Sequence, residues 1–270
     1  DLHLLSRRQR QMCIRDSNIT SNRFKQLNIT CTTEEISTYA ESIGADKGEL
    51  MIVCECMFDG DISSANISSI NKSSFVRIRN YLKKKQPQLF NLEKNTYNGL
   101  LADIKYFPVP RSNKRKEWVN YVNSWNYERT YNGNRTHEGT DVMGDINKDG
   151  IYPVVSVSDG YVSNIGWLEL GGWRIGITSP SGIYYYYAHL DSYAKEYKEG
   201  DVIRAGDIIG YMGSTGYSKV EGTKNKFPVH LHFGIYITPD PDIAADYEEI
   251  ALNPYNILKI NENNTLIYSY

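Results

Sequence analysis

Val229-His230-Leu231-His232-Phe233-Gly234-Ile235-Tyr236-Ile237 reads as one apolar strand that carries two histidines. Side chains two apart on a strand share a face, so His230 and His232 project together from one side. Working outward, the chain from about residue 120 is a series of short β-rich runs divided by Gly and Asp turns. They are Val154–Val157, Tyr161–Ile165, Trp173–Thr178, Ile183–His189 and Ile208–Met212. Runs of this length and spacing predict a mainly β fold, an antiparallel sandwich or partly open barrel.

Upstream the period changes. Thr32-Thr33-Glu34-Glu35 is a capping box, which satisfies the first free N–H groups of a helix. Ile36, Tyr39, Ala40 and Ile43 follow at helical spacing, and Gly44 stops them. Residues 49–58 form a short apolar segment assigned to helix. Ser74 is placed to cap a third helix with Phe75, Ile78 and Leu82 inward. Tyr97, Leu100, Leu101 and Ile104 line a fourth, which Pro108 and Pro110 end. The basic run Arg111–Lys116 reads as a linker. The expected organisation is a small helical region over 18–110, a β domain over 111–260 and a C-terminal tail over 261–270. The opening Asp1–Ser17 has no turn chemistry and no clean period. It resembles translated adapter sequence, is read as non-native, and is set aside from the fold.

The 270 residues carry a formal net charge of -2 with both signs plentiful, so no basic field exists to attract nucleic acid. No run of 18 apolar residues and no secretory h-region is visible. The 22 Tyr against 7 Phe suit either a Tyr-rich β core or a cleft that grips a polar polymer. Of the four Cys, Cys13 lies in the opening segment. Cys54-Glu55-Cys56 has the wrong spacing for a zinc knuckle. Cys31, Cys54 and Cys56 are expected as buried thiols or with one disulfide from Cys31.

The remaining histidines stand at chemically telling places. His137 and Asp141 are separated by three residues and can point the same way from an extended segment. His189 ends the run Ile183–His189. A catalytic zinc takes three N or O ligands and keeps a fourth position for water. His137, Asp141 and one histidine of the 230/232 pair supply that set, and two histidines remain for proton handling. Glu138 is not the base of a His-Glu-x-x-His site, because position 141 is Asp. Asp145-Ile146-Asn147-Lys148-Asp149-Gly150 has the first half of a calcium loop, but its twelfth position is Ser156 rather than Glu. It is read as a polar turn.

Together His137-x-x-x-Asp141, Tyr187-Ala188-His189-Leu190 and His230-Leu231-His232-Phe233 resemble the lysostaphin/LytM-type zinc endopeptidases, which hydrolyse peptidoglycan cross-links. Glu199–Gly210 resembles the hairpin of that family and Gly213-Ser214-Thr215-Gly216 its glycine loop. The resemblance covers roughly 120–240. It implies that His137, Asp141 and His232 are Zn²⁺ ligands and that His189 and His230 are the catalytic pair outside the metal shell. It further implies metal-activated water as nucleophile and peptidoglycan stem or cross-link peptides as partners. A longer loop, Tyr217–Val229, precedes the His pair here and is expected to line the cleft, and Gly234 replaces a family Glu. The alternative is a non-catalytic wall- or partner-binding scaffold of the same fold, but such members lose a ligand or a catalytic His, and all five residues are present. A wall substrate implies an extracellular or cell-envelope location, with an export signal or membrane anchor expected upstream of the opening segment.

Overall fold

The computed structural model describes residues 22–131, 133–239 and 249–270. The Asp1–Ser17 segment and Cys13 lie outside the described residues. The chain divides into two compact units: one runs to Ala102 and includes Ile237–Leu252, the other comprises Asp103–Tyr236 and Asn253–Tyr270.

In the first unit the helices are α1 (Asn22–Lys25), α2 (Thr33–Ile43), α3 (Lys47–Met57), α4 (Ser64–Ser69), α5 (Lys72–Lys85) and α6 (Pro87–Asp103). The capping box of α2 forms as read. The Thr32 hydroxyl accepts from the Glu35 N–H, the Glu35 carboxylate accepts from the Thr32 N–H at 2.7 Å, and Gly44 closes the helix in the left-handed region. The cap of α5 is not Ser74. Asn71 Oδ1 accepts from the Ser74 N–H at 2.9 Å, so the helix opens a turn earlier, because an Asn oxygen reaches that N–H as well as a Ser oxygen does. Phe75, Ile78 and Leu82 are buried as expected, and so are Tyr97 and Leu100 of α6. Cys31, Cys54 and Cys56 are buried thiols with no disulfide among them.

The second unit is mostly β. Its small outer strands are β1 (Arg111–Ser112), β2 (Val119–Asn120), β3 (Glu128–Arg129) and β4 (Arg135–Thr136). The larger ones are β5 (Thr140–Gly144), β6 (Pro153–Val155), β7 (Gly160–Leu168), β8 (Gly172–Thr178) and β9 (Tyr184–Tyr193). They are followed by β10 (Val202–Ile203), β11 (Ile208–Met212) and β12 (His230–Ile237). The main sheet runs β10-β7-β8-β9-β12-β5-β2, with every pair antiparallel, and β11 joins β9 and β6.

Alternation sorts this sheet into two faces. Val142, Tyr185, Tyr187, Leu231, Phe233 and Ile235 are buried on one face. Each large side chain withdrawn from water there contributes about 1.5–3 kcal/mol. Asp141, Tyr186, Ala188, His230, His232 and Tyr236 alternate with them and line a cleft on the other face. The unusual Tyr content thus serves both core and cleft.

Two sequence readings change. The 261–270 segment is built into this unit rather than hanging as a tail. Its strand Ile267–Tyr268 pairs in parallel with Arg111–Ser112, and the Tyr270 hydroxyl donates to the Pro110 carbonyl at 2.7 Å. The start of the Arg111–Lys116 run is accordingly a strand, with the Arg111 guanidinium 3.6 Å above the Trp118 ring. Composition marked these residues as polar and basic, but the backbone pairing that recruits them joins positions more than 150 apart. A helix, Tyr255–Asn261, precedes that segment.

Candidate metal centre

The register of β12 against β5 sets His232 directly opposite Asp141, and its register against β9 sets His232 opposite Ala188. Directly opposed residues on one face have Cβ atoms about 4.5–5.5 Å apart, so imidazole and carboxylate meet. His137 arrives from just before β5. Its Nε2 lies 3.0 Å from His232 Nδ1 and 3.0 Å from Asp141 Oδ1, and His232 Nδ1 lies 3.1 Å from the same oxygen. Among the described residues, His137, Asp141 and His232 are the group whose ligand atoms converge in this way. Four tetrahedral ligands at about 2.0–2.1 Å from zinc stand about 3.3–3.4 Å apart. The observed triangle therefore fits that ion with a small expansion. No comparable group forms at Asp145–Gly150 among the described residues: Asp145 accepts from the Trp118 N–H and the Asn120 amide, and Asn147 from the Val229 N–H.

Tautomers follow from what each ring faces. His137 Nδ1 is 2.9 Å from the Ser124 carbonyl, His189 Nδ1 is 2.8 Å from the Thr215 carbonyl, and His230 Nδ1 is 2.8 Å from the Pro228 carbonyl. A carbonyl only accepts, so each Nδ1 carries the proton and each Nε2 is left with a lone pair. Backbone oxygens thus play the orienting role that a ligating histidine needs. Gly139 supplies the close approach beside His232. A Cβ there would meet His232 Cε1 at 2.6 Å, Nε2 at 2.7 Å and the Phe233 carbonyl at 2.7 Å.

His189 reaches the site by a different route. Counting along β9, it belongs to the core face with Tyr185 and Tyr187. At His189 the register against β8 shifts and the backbone turns left-handed, with φ 62°. That bulge turns the imidazole over to the cleft, where its ring centroid is 4.6 Å from that of His230. Beyond it, β9 hands the same edge from β12 to β11. The expected strand end is therefore a bulge, and the strand continues to Tyr193.

Electrostatics keep the site in the protonation state that a cation requires. Burial raises the Asp141 carboxyl, but the ring nitrogens of His137 and His232 close against it, with the electrostatic pull of His232 and His230, outweigh burial and hold the group well below the usual carboxylate range. Burial, reinforced by the neighbouring histidines, pushes His189 well below its ordinary value. Burial also lowers His230 and His232 against the opposing pull of Asp141.

Several cleft residues carry no motif and were missed from sequence. Arg129 Nη2 donates to Asp141 Oδ2. Tyr131 stacks on Tyr217 at 4.6 Å and donates to its carbonyl at 2.6 Å. Arg135, Tyr186 and Tyr236 line the walls. From the longer loop, Tyr217 lines the cleft as expected, and Phe227 packs at 4.6 Å on His189 and 5.0 Å on His230. The length of the Tyr217–Val229 loop and the excess of Tyr were the sequence signals for the aromatic residues; Arg129 and Arg135 had none.

Comparison with known proteins gives one consistent picture. Residues 135–244 match the description Peptidase family M23. An L-Ala–D-Glu endopeptidase of Bacillus subtilis (strain 168) is 43% identical over 130 residues, which is 48% of this chain and 37% of that protein. Lysostaphin of Staphylococcus simulans is 34% identical over 128 residues, 43% of this chain and 22% of that protein. The chain thus spans well under half the length of these curated relatives. A crystal structure of a candidate glycyl-glycine endopeptidase lytM from Ruminococcus gnavus ATCC 29149 is 37% identical, with a TM-score of 0.72. It covers 97% of this chain and 98% of that one. Among the described residues no helix is long and apolar enough to cross a membrane.

Proposed function

The chain belongs to peptidase family M23, and from that premise we propose that it is a zinc-dependent endopeptidase that hydrolyses peptide bonds of bacterial peptidoglycan. The observation that carries this reading is the joint placement, in one cleft, of a three-ligand triangle and two further histidines whose Nδ1 atoms are committed to backbone carbonyls. His137 through Nε2, His232 through Nδ1 and Asp141 through Oδ1 would hold the ion. When bound, zinc supplies a Lewis acid for the scissile carbonyl and lowers the pKa of water to about 7.

The protein's own groups do the rest. Asp141 stays ionised and neutralises part of the cation charge. His189 and His230 have Nδ1 committed to backbone carbonyls, so Nε2 is the atom at which each accepts or returns a proton. Their low basicity keeps those atoms unprotonated at neutral pH, ready to take the proton of the attacking water. The imidazolium that forms is buried and gives its proton up readily, to the leaving amine. Phe227 and Tyr217 wall the pair off from bulk water, which strengthens these interactions. A peptidoglycan substrate places the reaction in the cell envelope, and the Tyr-lined cleft offers apolar faces with polar tips to such a polymer.

The test is digestion of purified sacculi with and without zinc, with released fragments identified by mass spectrometry. New amino termini that depend on zinc and vanish in His230→Ala are the expected result. Sacculi left intact by the zinc-loaded protein would overturn the reading.

A further inference from the structure

The cleft carries a charge arrangement that the hydrolytic groups leave unused. Arg129 of β3 and Arg135 of β4 are direct cross-strand partners, and both line the cleft. Like charges placed opposite each other on a hairpin are destabilising unless something negative sits with them. Arg129 has its counter-charge, the Oδ2 of Asp141. Arg135 has none among the described residues. Its polar contact is a long one, 3.4 Å from Nη2 to the Tyr217 hydroxyl, and its Nε is buried without a hydrogen-bond partner. The acidic residues along the cleft are Asp141, committed to the triad, and Glu138, which is exposed and forms no ion pair with Arg135.

Resting on the proposed peptidase reading, we propose that Arg135 is a carboxylate-binding site, and that the preferred substrate carries a free carboxylate within two residues of the scissile bond. A guanidinium presents parallel N–H donors that match both oxygens of a carboxylate. Such a ligand would satisfy the buried Nε and relieve the repulsion between the two arginines. Arg135 is two residues before the proposed metal ligand His137, so their Cα atoms are at most about 7 Å apart, about the span of two residues of a bound peptide, and both line the same cleft. An uncharged cross-link such as oligoglycine would leave the Arg135 donors unpaired.

The test compares two synthetic stem peptides cut by the zinc-loaded full chain. Both contain an L-Ala–D-Glu bond to the glutamate amino group, with the next residue joined through the glutamate side-chain carboxyl, and they differ only in whether the spare α-carboxyl is free or a carboxamide. An oligoglycine cross-link peptide and whole sacculi are run beside them. The free acid is expected to show about 10–100-fold higher kcat/KM than the amide, the range of a charged hydrogen bond lost. In Arg135→Gln that ratio collapses toward one, and in Arg135→Lys part of it survives. The substrate pair reads the contact without altering the protein, so a poorly folding variant does not decide the matter. Equal cleavage of acid and amide overturns the proposal. So does preference for oligoglycine, digestion of sacculi with neither stem peptide cut, or an equal loss on both stem peptides in Arg135→Gln. In each of those cases the peptidase reading stands. Failure on every substrate, sacculi included, removes that reading and this one with it.

Discussion

Replacing Gly139 with Ala tests whether the metal centre depends on a backbone that has no slack. The added Cβ would lie 2.6 Å from His232 Cε1, against the 3.4 Å at which ordinary contact begins, a shortfall of about 0.8 Å. The backbone side offers little relief, because the Phe233 carbonyl is 2.7 Å away and Phe233 is held in register against both Thr140 and Tyr187. The imidazole must therefore move by most of that shortfall. Its Nδ1 now sits 3.0 and 3.1 Å from the other two ligand atoms, so a shift of this size opens the triangle beyond what one ion can bridge. Disturbing the support of a ligand typically costs about 10–100-fold in metal affinity, and misplacing reacting groups by about 1 Å can cost about 100-fold in rate. The overpacking itself should cost about 1–3 kcal/mol of stability. Chelator competition gives the zinc affinity, and peptide hydrolysis on the same preparation gives the rate. Gly139→Ala with wild-type zinc affinity and wild-type turnover would refute this reasoning.

Further outcomes are expected. Zinc at about 100 times its Kd should stabilise the chain by about 2.7 kcal/mol, and His232→Ala should abolish that gain in a thermal melt, since two ligands hold the ion poorly. His230→Ala should keep its zinc yet lose at least ~100-fold in turnover; loss of metal along with activity would mean that His230 is a ligand. Thr215→Val removes the hydroxyl that donates to the Leu190 carbonyl at 2.7 Å and accepts from the Trp173 N–H at 3.1 Å. It should cost about 1–3 kcal/mol and lower kcat more than it raises KM, because the neighbouring carbonyl orients His189. In the helical unit, burial and the nearby Glu55 push the Glu93 carboxyl up. A carboxyl with a raised folded pKa favours the folded state at low pH and loses that contribution as pH rises from the unfolded value toward the folded one. Glu93→Gln should therefore raise Tm more at pH 8 than at pH 4.5, and an equal change at both would show that the group is not strained by its charge.

What was legible in one dimension is what local periodicity and spacing encode. The capping box at Thr32, the stop at Gly44 and the alternating β12 are short-range features, so their patterns survive in one dimension. The candidate site residues were partly legible for the same reason: His230 and His232 share a face by strand geometry, and the spacing of His137 and Asp141 lets one segment present both, while the choice of His232 over His230 as the proposed ligand came from the family resemblance. The Asn71 cap apart, which is a local choice, long-range pairing decided the departures from that reading. The 261–270 segment is a strand because β1 lies beside it, and Asn71 displaced Ser74 because both can cap and the helix took the earlier start. His189 is the clearest case. Alternation along β9 puts it in the core, and only the bulge at φ 62° turns it into the cleft. That bulge sits where one strand edge must serve β12 and then β11, a demand that appears only once three distant segments have packed together. Arg129 and Arg135 were invisible for the same physical reason: a charge gains its role from what folds against it, not from its neighbours in the chain.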